Sequence, residues 1–137
     1  MGSVVSDTDA ASFVVKDDPI RSPRYVPHFR ARIVVLPFST VAELRLGAEL
    51  RSWGQARRGR LEQFIGACIV HYPDDALCAH WARLVAQQQR LGRPIEKHDA
   101  WVAATALHLS LPLVTHNARH YAGVPGLQVI TEPDATP

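Results

Sequence analysis

The chain predicts an α/β fold built on a mainly parallel sheet. Three observations lead there. Short β-branched apolar runs recur along the 137 residues, helical stretches separate them, and Asp, Pro or Gly marks most of the junctions. With 47% hydrophobic and 20% charged residues, the composition is that of a packed globular chain rather than a disordered one. The length suits one core, so residues 1–131 are expected to form a single domain, with 132–137 as a frayed C-terminal tail.

Val4 to Thr8 reads as a first strand, and Ala10 to Lys16 as a helix that Asp9 is placed to cap. Pro23 to Arg30 is a second, amphipathic helix. Ile33-Val34-Val35-Leu36, bounded by Pro37, is a buried strand. A helix from about Ser39 to Trp53 carries Val41, Leu44 and Ala48 on one stripe, and Arg57 to Ile65 forms the next. Ala67 to Val70 is a third strand. After Pro73-Asp74-Asp75, the spacing of Leu77, Trp81, Leu84 and Val85 predicts a long helix, ended by Gly92 and Pro94. Asp99 opens a helix over Ala100 to Leu109 that is apolar nearly all round and therefore buried. Leu111 to Thr115 and Leu127 to Thr131 are the last strands, joined through a turn at Gly123 to Gly126. Tyr72, Trp81 and Trp101 read as packing residues.

Right-handed crossovers make such a chain a doubly wound sheet, whose ligands collect at the carboxyl ends of the strands. Asp7 ends the first strand, Glu43 lies in the first turn of the helix leaving the second, and Asn117 follows the fourth. Asp99 joins them if its helix starts at the same edge. Each residue also has a plain structural reading. Asp7 and Asp9 are helix-entry residues, Thr40-Val41-Ala42-Glu43 fits a capping box, and Asp99 precedes an apolar run as an N-cap does. Their joint placement favours a site, because carboxylates brought together repel one another and recruit a cation. All-oxygen ligands suit Mg²⁺ or Mn²⁺ rather than Zn²⁺, and Mg²⁺ held by carboxylates serves phosphodiester cleavage. His116 and His120, four apart, offer a competing zinc pair.

The formal net charge of +2 conceals an uneven distribution. Residues 19–60 hold nine arginines against two acids, a footprint for a polyanion or else a solvated helix face. Arg45, Arg51, Arg57 and Arg58 are the candidate polyanion-binding residues of that stretch. Cys68 and Cys78 form no metal clip or disulfide framework. No basic residue precedes Lys16, and no apolar run approaches the roughly 18 residues of a membrane span, which predicts a cytoplasmic chain with no membrane association.

Three segments resemble the PIN-domain ribonucleases, and within them the VapC toxins of type II toxin–antitoxin systems. They are Val5-Ser6-Asp7-Thr8-Asp9-Ala10-Ala11-Ser12, Ser39 to Ala48 around Glu43, and the stretch from Pro94-Ile95 through Asp99 to Thr115-His116-Asn117-Ala118-Arg119-His120-Tyr121 and Val124-Pro125-Gly126-Leu127. The likeness spans nearly the whole chain in order. It implies a PIN-like α/β/α sandwich with a central, mainly parallel sheet of about five strands. It further implies a Mg²⁺-dependent endoribonuclease toxin whose metal is held by Asp7, Glu43 and Asp99. Asn117, Thr115 and Thr8 would orient water or phosphate, and metal-activated water would attack the RNA phosphodiester. A VapB-like antitoxin and a second copy of the chain are the implied partners. Two positions depart from the family pattern: His120 stands where some relatives carry an aspartate, and His98 where an asparagine often precedes the third acid. Two other readings compete. One is a PIN-fold binding module without catalysis. The other is a haloacid-dehalogenase-type phosphatase suggested by Asp7-Thr8-Asp9, which would need a lysine that the chain lacks after Lys97.

Overall fold

A computed structural model describes residues 2–135, so Met1 and the tail residues Thr136 and Pro137 lie outside the described residues. Five parallel strands form one sheet in the order β3-β2-β1-β4-β5. They are β1 (Ser3–Ser6), β2 (Ile33–Pro37), β3 (Ile69–His71), β4 (Leu113–Val114) and β5 (Val129–Ile130). Helices α1 (Thr8–Val15), α2 (Ser22–Arg30), α3 (Phe38–Leu50), α4 (Gln55–Gly66), α5 (Asp75–Arg90) and α6 (Lys97–Leu109) connect them, and a short 3₁₀ turn covers Ala118–Tyr121. The expected α/β/α sandwich is therefore present.

Alternation along each strand sends neighbouring side chains to opposite faces. Val4, Val34, Leu36 and Val114 pack with α1 to α4, whereas Val5, Val35 and Leu113 pack with α5 and α6. Burial of both faces explains why these strands read as continuous apolar runs. On the second face the rings of Trp81 and Trp101 stack at 4.9 Å, and Phe38 meets Trp101 edge-on. Tyr72, expected to pack, is instead 69% exposed.

Element ends differ from expectation for local reasons. Asp7, not Asp9, caps α1, because the helix begins one residue after it and its Oδ1 accepts the Ala10 N–H at 3.0 Å. Pro37 precedes α3, and Thr40 donates to the Ser6 carbonyl rather than closing a capping box with Glu43. Glu96 caps α6 through the Asp99 N–H, which leaves the Asp99 carboxylate free. α3 stops before Trp53 because Ser52 turns left-handed (φ 51°) and the Trp53 N–H returns to the Ala48 carbonyl. Ala67 and Cys68 are held by the end of α4, so β3 starts late.

Glu132 and Asp134, expected to fray, lie against α2. The Tyr25 hydroxyl donates to the Glu132 carbonyl, His28 Nε2 sits 2.9 Å from Glu132 Oε1, and Arg21 pairs with Asp134 at 2.9 Å. Ser110 ends α6 at φ 55°, with the Leu111 N–H bonded to the Ala106 carbonyl. A Cβ in that left-handed turn is strained, so Ser110→Gly is expected to raise stability by about 1 kcal/mol in urea titrations.

Candidate active site

In an open parallel sheet the ligand crevice opens where strand order reverses, between two neighbouring strands whose connections leave in opposite directions. Here that point lies between β1 and β4. Asp7 leaves β1 and Thr115 leaves β4, so both sit in the crevice, and the Asp7 N–H bonds the Val114 carbonyl at 3.1 Å.

Asp7 is 4% exposed. Its Oδ2 accepts the hydroxyl of the fully buried Thr115, whose oxygen in turn accepts the Asn117 N–H at 2.9 Å. Burial pushes the Asp7 carboxyl up to about 7, against the lowering effect of its Thr115 and Ala10 hydrogen bonds and with added repulsion from Asp9 and Asp99. Asp9, in the first turn of α1, receives the Asn117 side-chain amide on Oδ2.

Glu43 faces α1 and α6. Thr8 Oγ1 donates to its Oε1 at 3.2 Å and lies 3.3 Å from His98 Nε2, which itself contacts the same carboxylate oxygen. Asp99 accepts the Tyr121 hydroxyl on Oδ1 at 3.2 Å and holds His120 Nδ1 3.2 Å from Oδ2. Burial, reinforced by the charges of Asp7 and Asp99, pushes the Tyr121 phenol far above its ordinary value, which keeps it a donor. Both departures from the family pattern thus place an imidazole on a site carboxylate.

Asp7, Glu43, Asp99, Asn117, Thr8 and Thr115 all come to one edge of the sheet. Sequence reasoning missed Asp9 and Tyr121 as members, and marked His98 and His120 only as departures from the family pattern. Asp9 was hidden because an acid in the first turn of a helix already has a sufficient reason in the helix dipole. The 3₁₀ turn over Ala118–Tyr121 delivers His120 and Tyr121 together, and no spacing in the chain announces it. The zinc pair does not form. His116 turns the other way, with Nδ1 2.6 Å from the Tyr25 hydroxyl, while His120 faces Asp99.

Among the described residues, none of these carboxylates is paired with Lys or Arg, and no three His, Cys, Asp or Glu side chains stand close enough together to hold a metal ion as placed. As a donor set, carboxylates without a cysteine are the chemistry that suits Mg²⁺ rather than Zn²⁺. Mg²⁺ is held through one or two carboxylates while keeping waters, so it needs no preformed all-protein cage. Each carboxylate oxygen already bonded to a protein donor also retains a lone pair for a ligand.

The four expected arginines divide. Arg45 is forked onto Glu62 at 2.8 and 3.2 Å, and Arg58 is held by Glu49 and by the Trp53 carbonyl at 2.8 and 2.7 Å. Arg51 and Arg57 instead line a pocket beside the site.

Comparisons with known proteins match most of the chain. The profile of the PIN domain family matches residues 4–124. Ribonuclease VapC1 of Haemophilus influenzae strain R2866 is 31% identical over 127 residues, covering 89% of this chain and 92% of the relative. The tRNA(fMet)-specific endonuclease VapC of Shigella flexneri is 29% identical over 122 residues, with the same coverage of 89% and 92%. The solved structure of VapBC-1 from nontypeable Haemophilus influenzae superposes with a TM-score of 0.75 at 26% identity, covering 96% of this chain and 98% of that one.

Proposed function

The chain belongs to the PIN-domain family, among the VapC ribonucleases, and we propose that it is a Mg²⁺-dependent endoribonuclease toxin, with Mn²⁺ as a substitute ion. One observation carries the reading. Asp7, Asp9, Glu43 and Asp99 gather at the strand-order reversal, and among the described residues no Lys or Arg is paired with them; only the imidazoles of His98 and His120 touch Glu43 and Asp99. Burial and the neighbouring acids hold Asp7 near 7, so a divalent cation relieves a repulsion already present.

Asp7, Glu43 and Asp99 would hold the ion, with Asp9 beside them. When bound, Mg²⁺ supplies positive charge that acidifies water and offsets charge building on the phosphate. The chain's own groups do the positioning. Thr115 fixes Asp7, Thr8 and His98 fix Glu43, and Tyr121 and His120 fix Asp99. Asn117, tethered through Thr115 and reaching Asp9, orients water or a phosphate oxygen, with Thr8 and Thr115 nearby.

The proposed partners are a VapB-like antitoxin that silences the site, an RNA substrate and a second copy of the chain. The proposed place of action is the cytoplasm. Among the described residues, no helix is long and apolar enough to cross a membrane. Titration calorimetry tests the metal centre. Wild type is expected to bind Mg²⁺, and Asp99→Asn to weaken that binding about tenfold or more. A wild-type chain that gives no binding heat at millimolar Mg²⁺ would favour the binding-module reading.

A further inference from the structure

A groove leaves the acid site between α1 and α3, and its two walls share one pattern. On α1, Asp9, Ser12 and Lys16 follow at helical spacing, and on α3, Glu43, Gly47 and Arg51 do the same. Each wall passes from an acid through a small residue to a cation over about 10–12 Å of helix. The small residue on α3 makes room for a cation to fold back along the groove. A Cβ built on Gly47 would lie 2.8 Å from a terminal nitrogen of Arg51, whose guanidinium therefore lies along the groove floor.

The groove runs into a pocket of about 240 Å³ lined by Val15, Lys16, Arg51, Trp53, Arg57 and Arg60. It contains four cations and no acid. None of the four has a carboxylate partner among the described residues, unlike Arg45 and Arg58. Burial and then the charge of Arg51 push the Lys16 ammonium below its ordinary value. Lys16 and Arg51 close the C-terminal ends of α1 and α3, where a helix dipole welcomes a cation. Arg57 lies in the first turn of α4 (Gln55–Gly66), where the dipole opposes a cation, and Arg60 lies in the next turn, beyond the dipole's help. Helix electrostatics therefore leave half of the cluster without a local reason.

We propose that this pocket is a phosphate subsite for single-stranded RNA, holding a backbone phosphate a short way along the strand from the one bound at the acids. The inference rests on the ribonuclease reading above and specifies the path of the substrate. RNA is favoured over an acidic protein segment because the groove joins the pocket directly to Asp9 and Glu43. Trp53 gives the pocket an apolar wall suited to a base or sugar.

The test is anisotropy of a short labelled single-stranded RNA bound to the Asp7→Asn chain, which keeps the substrate intact. Two double variants, Lys16→Gln with Arg51→Gln and Arg57→Gln with Arg60→Gln, are each expected to weaken binding about tenfold. The slope of log affinity on log salt should fall by roughly 0.7 for each phosphate that is no longer neutralised by the protein. The same charge removal on the opposite face of the sheet, Arg83→Gln with Arg90→Gln on α5, should change neither quantity. In the active chain the pocket variants should raise KM and leave kcat within about twofold. The subsite is overturned if pocket and α5 variants match in affinity and slope. It is equally overturned if RNA binding is unchanged while capture of a VapB-like antitoxin weakens, which would make the pocket a protein-docking site. A wild-type chain that neither binds nor cleaves RNA with Mg²⁺ present would overturn the ribonuclease reading itself. Normal wild-type cleavage with indifferent pocket variants would overturn the subsite alone.

Discussion

Asp7→Asn is expected to cut RNA cleavage by orders of magnitude and, in the same protein, to raise the stability of the metal-free fold above pH 7. Both effects follow from one carboxyl. Folding moves it from 3.8 to about 7, chiefly because it is buried. The folded chain therefore binds this proton more tightly than the unfolded chain does. The resulting stabilisation is complete below pH 3.8 and is lost as pH rises through about 7. Asparagine keeps an oxygen for the Ala10 N–H and carries no charge, so it escapes that loss. The gain over wild type should grow between pH 4 and 7 and then level off, at on the order of 2–4 kcal/mol. In chelator at pH 8 this appears as a melting temperature higher by roughly 5–10 °C. With Mg²⁺ present, cleavage should fall about 10²–10³-fold, the several kcal/mol that a metal contributes to charge neutralisation. Melting curves in chelator at pH 5 and pH 8 check the first half. A lower melting temperature for Asp7→Asn at pH 8 would contradict it.

Thr115→Val should do the opposite to stability. The Thr115 hydroxyl is fully buried and satisfied on both sides, donating to Asp7 and accepting from the Asn117 N–H at 2.9 Å. Valine fills the same space and removes both bonds. The Asn117 N–H then loses its partner, and Asp7 loses the hydrogen bond that does most to offset its burial. The expected cost is about 2–3 kcal/mol in denaturant titrations, larger at pH 8 than at pH 5, because the lost bond served the charged carboxylate best. Cleavage should drop about 10–100-fold, as for other groups that orient metal ligands, with its pH profile displaced to higher pH. Thr115→Ser keeps the hydroxyl and should restore both the stability and the profile.

The order of elements was readable because strands buried on both faces must be continuously apolar, and helices that cover them must carry a stripe. Val4-Val5, Val34 to Leu36 and Leu113-Val114 announce themselves in that way. Asp7, Glu43 and Asn117 followed from topology, since parallel strands put their carboxyl ends on one edge, whereas topology left Asp99 conditional on where its helix starts and the family resemblance supplied it. What stayed hidden was decided by local competition for backbone donors. Asp7 took the capping bond that Asp9 was expected to make, and Glu96 took the one expected of Asp99. Each exchange changes which carboxylate is free, and composition cannot rank two acids two or three residues apart. Tyr121 reads as a core aromatic until the 3₁₀ turn brings its hydroxyl to Asp99. The basic stretch was visible as a sum of charges. Its division into Arg45 and Arg58, neutralised by Glu62 and Glu49, and Arg51 and Arg57, left facing the groove, depends on how α3 and α4 pack.

The metal-dependent ribonuclease reading is tested most directly by the rate of RNA cleavage by wild type, Glu43→Gln and Asp99→Asn, each measured with Mg²⁺ and with chelator. The prediction is cleavage by wild type with Mg²⁺, a fall of about 10²–10³-fold in each variant, and no cleavage above background in chelator. Equal rates in all three proteins, or wild-type cleavage that persists without the metal, would contradict it.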